Sequence, residues 1–444
     1  MQLGDTLNIS IDDIAQGGDG VGRMDDGRVV FVPRSLPGER VEGKITEIRD
    51  NFLRCELVDI LEPSPARREP ECPHFSECGG CQFWHTDYPQ ELDFKTEAAM
   101  EALRRISAIE QWPEPTIVEA PETTRYRTRA TFHRRPRDGD DGRGIGFFAP
   151  GTNRLVEVED CPITRESVCR ARRDVEEGLQ DLGDVDIMVE SASEDASVLT
   201  IRVDELPGEP PEPLVELASR LGDIDSIRGL RIVGGDRVWE EGDCTVDGDQ
   251  ILAELPIESL RMPAGLFRQS NRAANERLVE VVAESVQQGG GGTVLELFSG
   301  AGNLSFAMVD EVDALLGLEV DERAVELANT IAMFAGIDTW MFREADLADG
   351  FHEALEPEEH GIFDQIVLDP ARGGAPDVSR EIAGLQQEVS PDRVTYVSCD
   401  PPALGRDLAV MAEGGWKPVG LTMLDMFPRT AHLEVVAVLE RSAE

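Results

Sequence analysis

Lysine is nearly missing from these 444 residues: only Lys44, Lys95 and Lys417 carry it, among 42 basic side chains set against 88 acidic ones. The formal net charge of -46 predicts strong self-repulsion of the compact state at low salt. The acids are spread along the chain and not gathered in a tail, so the pattern reads as that of a halophile, adapted to molar salt where the Debye length is about 3 Å. Aromatic residues are sparse at 5%, yet 41% of the chain is hydrophobic, enough for roughly two to four domains and too much for a disordered chain. No apolar run is long enough to cross a bilayer, and Met1-Gln-Leu-Gly-Asp5 lacks the charged-then-apolar order of a signal peptide. The expectation is a cytoplasmic monomer with no membrane partner. In that compartment the eight cysteines are not a disulfide framework, so clusters among them point to metal binding or catalysis. Net acidity ordinarily argues against nucleic acid, but where acidity describes the solvent, local arginine clusters carry more weight.

Residues 1–62 hold short alternating runs, among them Leu7-Asn-Ile-Ser-Ile11, Val29-Val-Phe-Val32 and Val41-Glu-Gly-Lys-Ile-Thr-Glu-Ile48, separated by glycine-rich turns. Such spacing predicts a small β-barrel. The early glycine turn followed by Val-Phe-Val-Pro-Arg-Ser-Leu-Pro-Gly-Glu-Arg-Val41 resembles the TRAM domain, an OB-like RNA-binding module; an unrelated packing barrel is the alternative. Pro63, Pro65 and Pro70 mark a linker into a second unit, residues 63–262, expected to be an α+β domain.

That unit opens on Cys72-Pro-His-Phe-Ser-Glu-Cys78-Gly-Gly-Cys81, whose glycines allow the backbone to turn tightly around a metal. Three soft ligands need a fourth, and Cys161, between Asp160 and Pro162, is the best candidate, with His74 and His85 as possible substitutes. Four thiolates fit zinc or an iron–sulfur cluster, and spacing does not separate the two. A radical SAM enzyme would need Cys-x3-Cys-x2-Cys, and the first gap here is five. From Tyr88 to Ile109 an apolar stripe of Leu92, Phe94, Ala98, Ala99, Leu103 and Ile106 predicts a helix that packs away from its sequence neighbours, with the C-terminal domain as its expected docking surface. The stretch Arg125-Tyr-Arg-Thr-Arg-Ala-Thr-Phe-His-Arg-Arg135 alternates, which predicts a strand with Arg125, Arg127 and Arg129 on one face. Seven arginines lie between Arg125 and Arg143. They form either an edge strand salt-bridged to the acidic surface or an RNA-phosphate face with Tyr126, Phe132 and Phe147 as stacking groups. Residues 185–256 read as further strands with acidic loops, and 207–213 as an exposed connection.

Residues 263–444 alternate strand and helix patterns, predicting a doubly wound, Rossmann-like α/β domain. Thr293-Val-Leu-Glu-Leu-Phe298 is a buried-strand run that enters the tight turn Ser299-Gly-Ala-Gly-Asn303. A second strand ends at Glu319, where an acid accepts ribose hydroxyls, and a third ends at Asp346. The full dinucleotide fingerprint is absent, which favours S-adenosylmethionine (SAM) over NAD. A fourth strand ends at Asp369. A fifth, Val394-Thr-Tyr-Val-Ser-Cys399, ends on a thiol that by base rate is a core cysteine but here sits at the ligand edge of the sheet. Glu434, inside the apolar run 432–439, needs a partner or a function, because burying an unpaired carboxylate is costly. Chemistry connects the two. Uracil C5 is a poor nucleophile until a thiolate adds at C6, and a base must then remove the C5 proton; Cys399 and Glu434 suit those roles. No second cysteine lies near Cys399, which favours uracil over cytosine.

Taken together, Cys72-x5-Cys78-Gly-Gly-Cys81, Cys161, Phe267-Arg-Gln-Ser-Asn271, Leu295-Glu-Leu-Phe-Ser-Gly-Ala-Gly-Asn303, Leu368-Asp-Pro-Ala-Arg372, Ser398-Cys-Asp-Pro401 and Met426-Phe-Pro-Arg-Thr-Ala-His-Leu-Glu434 resemble the RNA uracil-5-methyltransferase family, in its four-cysteine branch acting on large-subunit ribosomal RNA. The resemblance implies a class I methyltransferase fold with Cys399 as nucleophile and Glu434 as base. It also implies Gln269 and Asp369 near uracil and methyl donor, and Phe298, Asn303, Glu319 and Asp346 along the SAM site. Cys72, Cys78, Cys81 and Cys161 would hold a [4Fe-4S] cluster that clamps the RNA-binding domain. Two positions depart from the pattern: Asp400 stands where asparagine is common and Arg429 where histidine is frequent. The favoured substrate is 23S rRNA, with tRNA possible. A non-catalytic RNA-binding or ribosome-assembly protein and a redox enzyme are the rival readings.

Overall fold

The computed structural model describes residues 1–137, 142–206, 208–247, 261–386 and 391–441. Three main sheets organise the chain. The first has six strands in the spatial order Thr6–Ser10, Arg40–Ile48, Phe52–Glu62, Val29–Val32, Gly20–Arg23, Asp13–Ile14. Alternation turns Ile9, Val30, Val32, Val41, Ile45, Leu53 and Cys55 into its core, and their partners outward.

The second sheet has seven strands: Leu155–Glu157, Arg143–Phe148, Arg129–Pro136, Val185–Ser191, Ser197–Arg202, Ile227–Gly234 and Arg237–Gly242. Helices Glu166–Val175 and Glu212–Ser219 contribute Val168, Ala171, Leu214 and Leu217 to the core beneath it. The arginine strand expected over 125–135 begins only at Arg129. Arg125 takes φ 54°, in the left-handed region, and Arg125 and Arg127 donate their amides to Pro162 and Ile163. The three arginines therefore do not share one strand face. Nor are the aromatics free to stack on a base: Tyr126 and Phe132 are buried, and Phe147 stacks on Phe132 with centroids 4.9 Å apart. Of the strands expected over 185–256, residues 248–256 lie outside the described residues, as does Pro207 of the expected connection.

The third sheet has eight strands: Trp340–Glu344, Val312–Glu319, Gly292–Leu297, Gln365–Leu368, Arg393–Ser398, Glu434–Arg441, Trp416–Leu424 and Thr116–Val118. The first five run parallel, and Glu434–Arg441 is antiparallel to both its neighbours. Helix Tyr88–Ser107 packs here, placing Leu92, Ala99 and Leu103 against Leu404, Leu408 and Met411 of helix Pro401–Glu413. Strand Thr116–Val118 adds an edge to the same sheet. Residues 88–118 thus precede the second sheet in the chain but pack with the third. Among the described residues no helix is long and apolar enough to cross a membrane.

Candidate active site

Phe298, Asp369 and Cys399 are each the first residue after a parallel strand, and Glu319 is the last residue of one. Glu434 opens the antiparallel strand that enters from the same side. One edge of the sheet thereby collects side chains from distant positions in the chain. Cys399, Glu434, Asp369, Gln269, Phe298, Asn303 and Glu319 line a single cavity of about 510 Å³. Asp346 does not line it; it borders a neighbouring cavity of about 250 Å³, and Phe298 and Val320 form walls of both.

The turn after the first strand is shaped for a close ligand. Gly302 has φ 87°, and a Cβ there would meet the Phe306 ring at 2.4 Å. Phe298 adopts φ 61°, a conformation that costs a non-glycine residue about 1 kcal/mol or more and recurs at ligand sites. Glu319 accepts the amides of Gly300, Val320 and Asp321 at 2.8–2.9 Å, which fixes its carboxylate on the cavity wall. Asn303 exchanges two side-chain hydrogen bonds with Asn275.

The cavity is acidic and poorly solvated. Burial raises the Asp369 carboxyl, and it raises that of Glu434 well above the ordinary range, with Asp369 adding to the shift. Cys399 is partly exposed; burial pushes its thiol up to about 12, the charges of Glu434, Asp369 and Asp400 add to this, and Arg372 opposes it. Asp400 is the N-cap of helix Pro401–Glu413, accepting the Ala403 amide at 2.8 Å, and lies 3.6 Å from Arg372. Its carboxylate is thus engaged elsewhere and contributes least among the causes acting on the thiol. Glu296, which sequence reasoning passed over, is buried in the cavity wall, accepts from Ser305, and is raised to about 8 by burial. Its signal was legible: like Glu434, it is a lone carboxylate in an apolar run.

A second group missed from sequence holds the loop between the last two strands. Four consecutive carbonyls of that loop have outside donors. Met426 accepts from Asn271, Phe427 from Lys95, Pro428 from the Tyr126 hydroxyl, and Arg429 from the amides of Gln82 and Phe83. Lys95 is the one buried lysine of the three; its Nζ lies 2.6 Å from Asp425 and 3.4 Å from Glu91. Glu91 in turn accepts the backbone amide of Arg429 at 2.6 Å and its guanidinium at 3.2 Å. Arg429, at φ 70°, also lies 4.9 Å over the Trp84 ring. The loop so held contributes Phe427 to the cavity.

Trp84 belongs to the cysteine segment. Cys72, Cys78, Cys81 and Cys161 converge on a second cavity, of about 70 Å³, walled by apolar side chains including Phe75, Trp84 and Ile163. Burial raises the Cys72, Cys78 and Cys81 thiols, and each also feels the charge of Cys161. His74 borders this cavity, whereas His85 does not: it is stacked between Phe75 and Phe83, and burial lowers it to about 3. Among the described residues, no three His, Cys, Asp or Glu side chains are grouped to hold a metal ion.

Comparison with known proteins agrees with this layout. A family model described as TRAM domain matches residues 1–58, and one described as tRNA (Uracil-5-)-methyltransferase matches residues 87–442. The chain is 30% identical to the 23S rRNA (uracil(1939)-C(5))-methyltransferase RlmD of Pectobacterium atrosepticum, covering 97% of this chain and 93% of that one. Identity is also 30% to RlmD of Chromohalobacter salexigens, over 98% and 89%. Among solved structures, Pyrococcus abyssi tRNA (uracil-54, C5)-methyltransferase in complex with S-adenosyl-L-homocysteine superposes with a TM-score of 0.70 at 20% identity, over 98% and 100% of the two chains. At that identity the likeness is one of fold.

Proposed function

We propose, for a chain that belongs to the tRNA (Uracil-5-)-methyltransferase family and is a SAM-dependent RNA uracil-5-methyltransferase, that its substrate is a uridine of 23S rRNA and that Cys399 and Glu434 carry the reaction. The observation that bears most on the residue roles is the convergence of Cys399, Glu434 and Asp369 on one cavity beside the glycine turn. The rRNA assignment is supported by relatives that match nearly the whole chain and are named as 23S rRNA enzymes.

Bound SAM supplies an electrophilic methyl group. The thiolate of Cys399 adds to uracil C6, moving the C5–C6 π electrons towards C5 and O4 so that C5 can take the methyl group. Glu434 then takes the C5 proton, the C5–C6 double bond re-forms, and the C6–S bond breaks to return the thiolate. Arg372 is the cation that favours the thiolate against three acids. Gln269 and Asp369 position the base and the donor. The turn 299–303 fits a close-packed cofactor, because a side chain at residue 302 would collide with Phe306; Phe298, Asn303 and Glu319 line that part of the cavity, and Asp346 the adjoining one.

The four thiols that line one apolar-walled cavity support a [4Fe-4S] cluster as the group they would hold. Around a cube each thiolate binds its own iron. The TRAM barrel serves RNA binding, and the acidic composition serves a cytoplasm at molar salt.

Trapping with 5-fluorouridine RNA tests the chemistry: a covalent adduct is expected with the native chain and none with Cys399→Ala. Mapping 5-methyluridine in ribosomal and transfer RNA from a deletion strain tests the substrate; loss from tRNA alone would sink the rRNA assignment. Iron and sulfide analysis of anaerobic protein tests the cluster, and zinc alone would rule it out.

A further inference from the structure

We infer that Arg127 is a seat for an RNA phosphodiester at the mouth of the catalytic cavity; the inference rests on the RNA-methylating function above and names a contact that the function does not by itself specify.

Six of the seven arginines between Arg125 and Arg143 are already engaged within the protein. Arg125 clamps Asp160 with two hydrogen bonds of 2.6 and 2.7 Å. Arg129 lies 3.7 Å from Glu190 and donates to the carbonyls of Leu266 and Arg268. Arg134 donates to the carbonyls of Gln180, Leu182 and Gly183. Arg135 pairs with Asp186, Arg137 with Glu157, and Arg143 with Asp184, at 2.6–2.9 Å. Salt bridges to acids therefore account for five of the six, Arg134 being held by carbonyls alone, although strand Arg129–Pro136 is interior to its sheet and not an edge.

Arg127 is the exception. Its guanidinium has no carboxylate within ion-pair distance among the described residues, and its buried Nε has no hydrogen-bond partner. A partly buried guanidinium with an unpartnered Nε is costly unless a ligand supplies the missing acceptor. Its location narrows the ligand. Arg127 bridges in backbone register to Asn271, next to Gln269 of the cavity wall, and its guanidinium lies 5.9 Å from the centroid of Phe427, also a cavity residue. Beyond Phe427 stands His432, 6.3 Å away ring to ring, whose Nδ1 is 3.4 Å from Arg372. Burial holds His432 below the ordinary histidine range, at about 4, and the positive charges of Arg372, Lys95 and Arg127 add to this. Arg127 therefore stands one aromatic ring, that of Phe427, away from the cavity that Phe427 and Arg372 line. A planar guanidinium suits a phosphate oxygen pair, and a uridine whose base enters the cavity leaves its backbone phosphates at the rim.

The cysteine cavity also borders Arg127, so a role as counter-charge to a bound cluster is the outcome that the test must separate. The experiment measures equilibrium binding of a 23S rRNA transcript to the intact protein across a range of KCl, for the native chain, Arg127→Met and Arg127→Lys, with iron content and SAM calorimetry on each. The expected result for Arg127→Met is a salt slope of log Kd against log[KCl] lowered by about 0.7 to 1. Its KM for RNA rises about 3- to 10-fold with kcat within about twofold, with iron content and SAM affinity unchanged, and Arg127→Lys restores most of the slope. An unchanged slope overturns the inference, whether or not iron is lost, and loss of iron with unchanged RNA affinity assigns Arg127 to the cluster instead. Should the native chain itself fail to bind or methylate RNA, it is the proposed function that fails.

Discussion

Two cavities in this molecule are built around cysteine, and they differ in everything except the thiol. Cys399 stands alone among carboxyl groups, with Arg372 in reach, in a space large enough for a nucleotide and a cofactor. Cys72, Cys78, Cys81 and Cys161 line one space of about 70 Å³ walled by apolar side chains, where the other cavity-lining residues include only His74 and Arg127 as acids or bases. A lone thiol beside a base can exchange a proton and form a bond that later breaks; four thiols beside each other accumulate negative charge that only a metal centre offsets. Cys55, Cys169 and Cys244 make a third class, buried, with thiols that desolvation holds in the neutral form. Surroundings, more than residue type, decide which cysteine reacts.

The sharpest way to break this contrast is to exchange the losses. Cys399→Ala is expected to lower methylation by on the order of 10⁴-fold or more while leaving the iron content of the protein intact. Cys81→Ala is expected to do the opposite, losing iron but still forming some adduct with 5-fluorouridine RNA. If Cys81→Ala abolished the adduct while SAM binding stayed normal, the two cavities would not be separable.

Within the catalytic cavity, Glu434→Gln separates the two halves of the reaction. Turnover should fall by about 10²- to 10⁴-fold, with a methylated RNA–protein adduct accumulating on denaturing gels because the C5 proton is not removed. Disappearance of the adduct would instead place Glu434 before methyl transfer.

The loop that joins the cavities offers a smaller effect. Lys95→Met leaves Glu91 and Asp425 buried with Arg429 as the remaining cation, a loss of about 3 to 5 kcal/mol in stability. Because the Phe427 carbonyl also loses its donor from outside the loop and keeps only those of Thr430, kcat should fall about 10-fold in the protein that stays folded, as read from active-site titration. A stability loss with unchanged kcat would make the network structural only.

The smallest expected effect concerns pH. Glu296 has its folded-state value raised to about 8 from 4.5, so the folded chain holds a proton that the unfolded chain releases. Stability from this group is therefore lost as pH rises from the unfolded value to about 8, and is level above that. The melting midpoint of Glu296→Gln relative to the native chain should climb by a few degrees across that window, measured at constant high salt. A difference that did not vary with pH would mean that Glu296 is ionised in the fold.

Much of the site was legible in the chain, and for an identifiable reason. Phe298, Asp369 and Cys399 each follow a run of β-branched and apolar residues, and in a parallel α/β sheet the ends of such runs share one edge. Glu434 announced itself as a carboxylate within an apolar strand, where its desolvation is costly. Arg125–Arg135 was less tractable, because alternation of residue type did not reveal the left-handed turn at Arg125 that delays the strand until Arg129. The stripe on helix Tyr88–Ser107 was readable, but Lys95 within that face was not, since its partner Asp425 lies 330 positions away.

Local pattern by itself determined most of the strands, the glycine turn, the thiol at a strand end and the Cys72–Cys81 cluster, because each depends on neighbours within a few residues. The tertiary structure alone decided which arginines are paired and that Asp346 borders a separate cavity. It also decided that strand Thr116–Val118 adds an edge to the third sheet, and that the cysteine segment grips the catalytic loop through Gln82, Phe83 and Trp84. Those outcomes depend on contacts between segments hundreds of residues apart, and such contacts are set by packing and charge pairing in three dimensions.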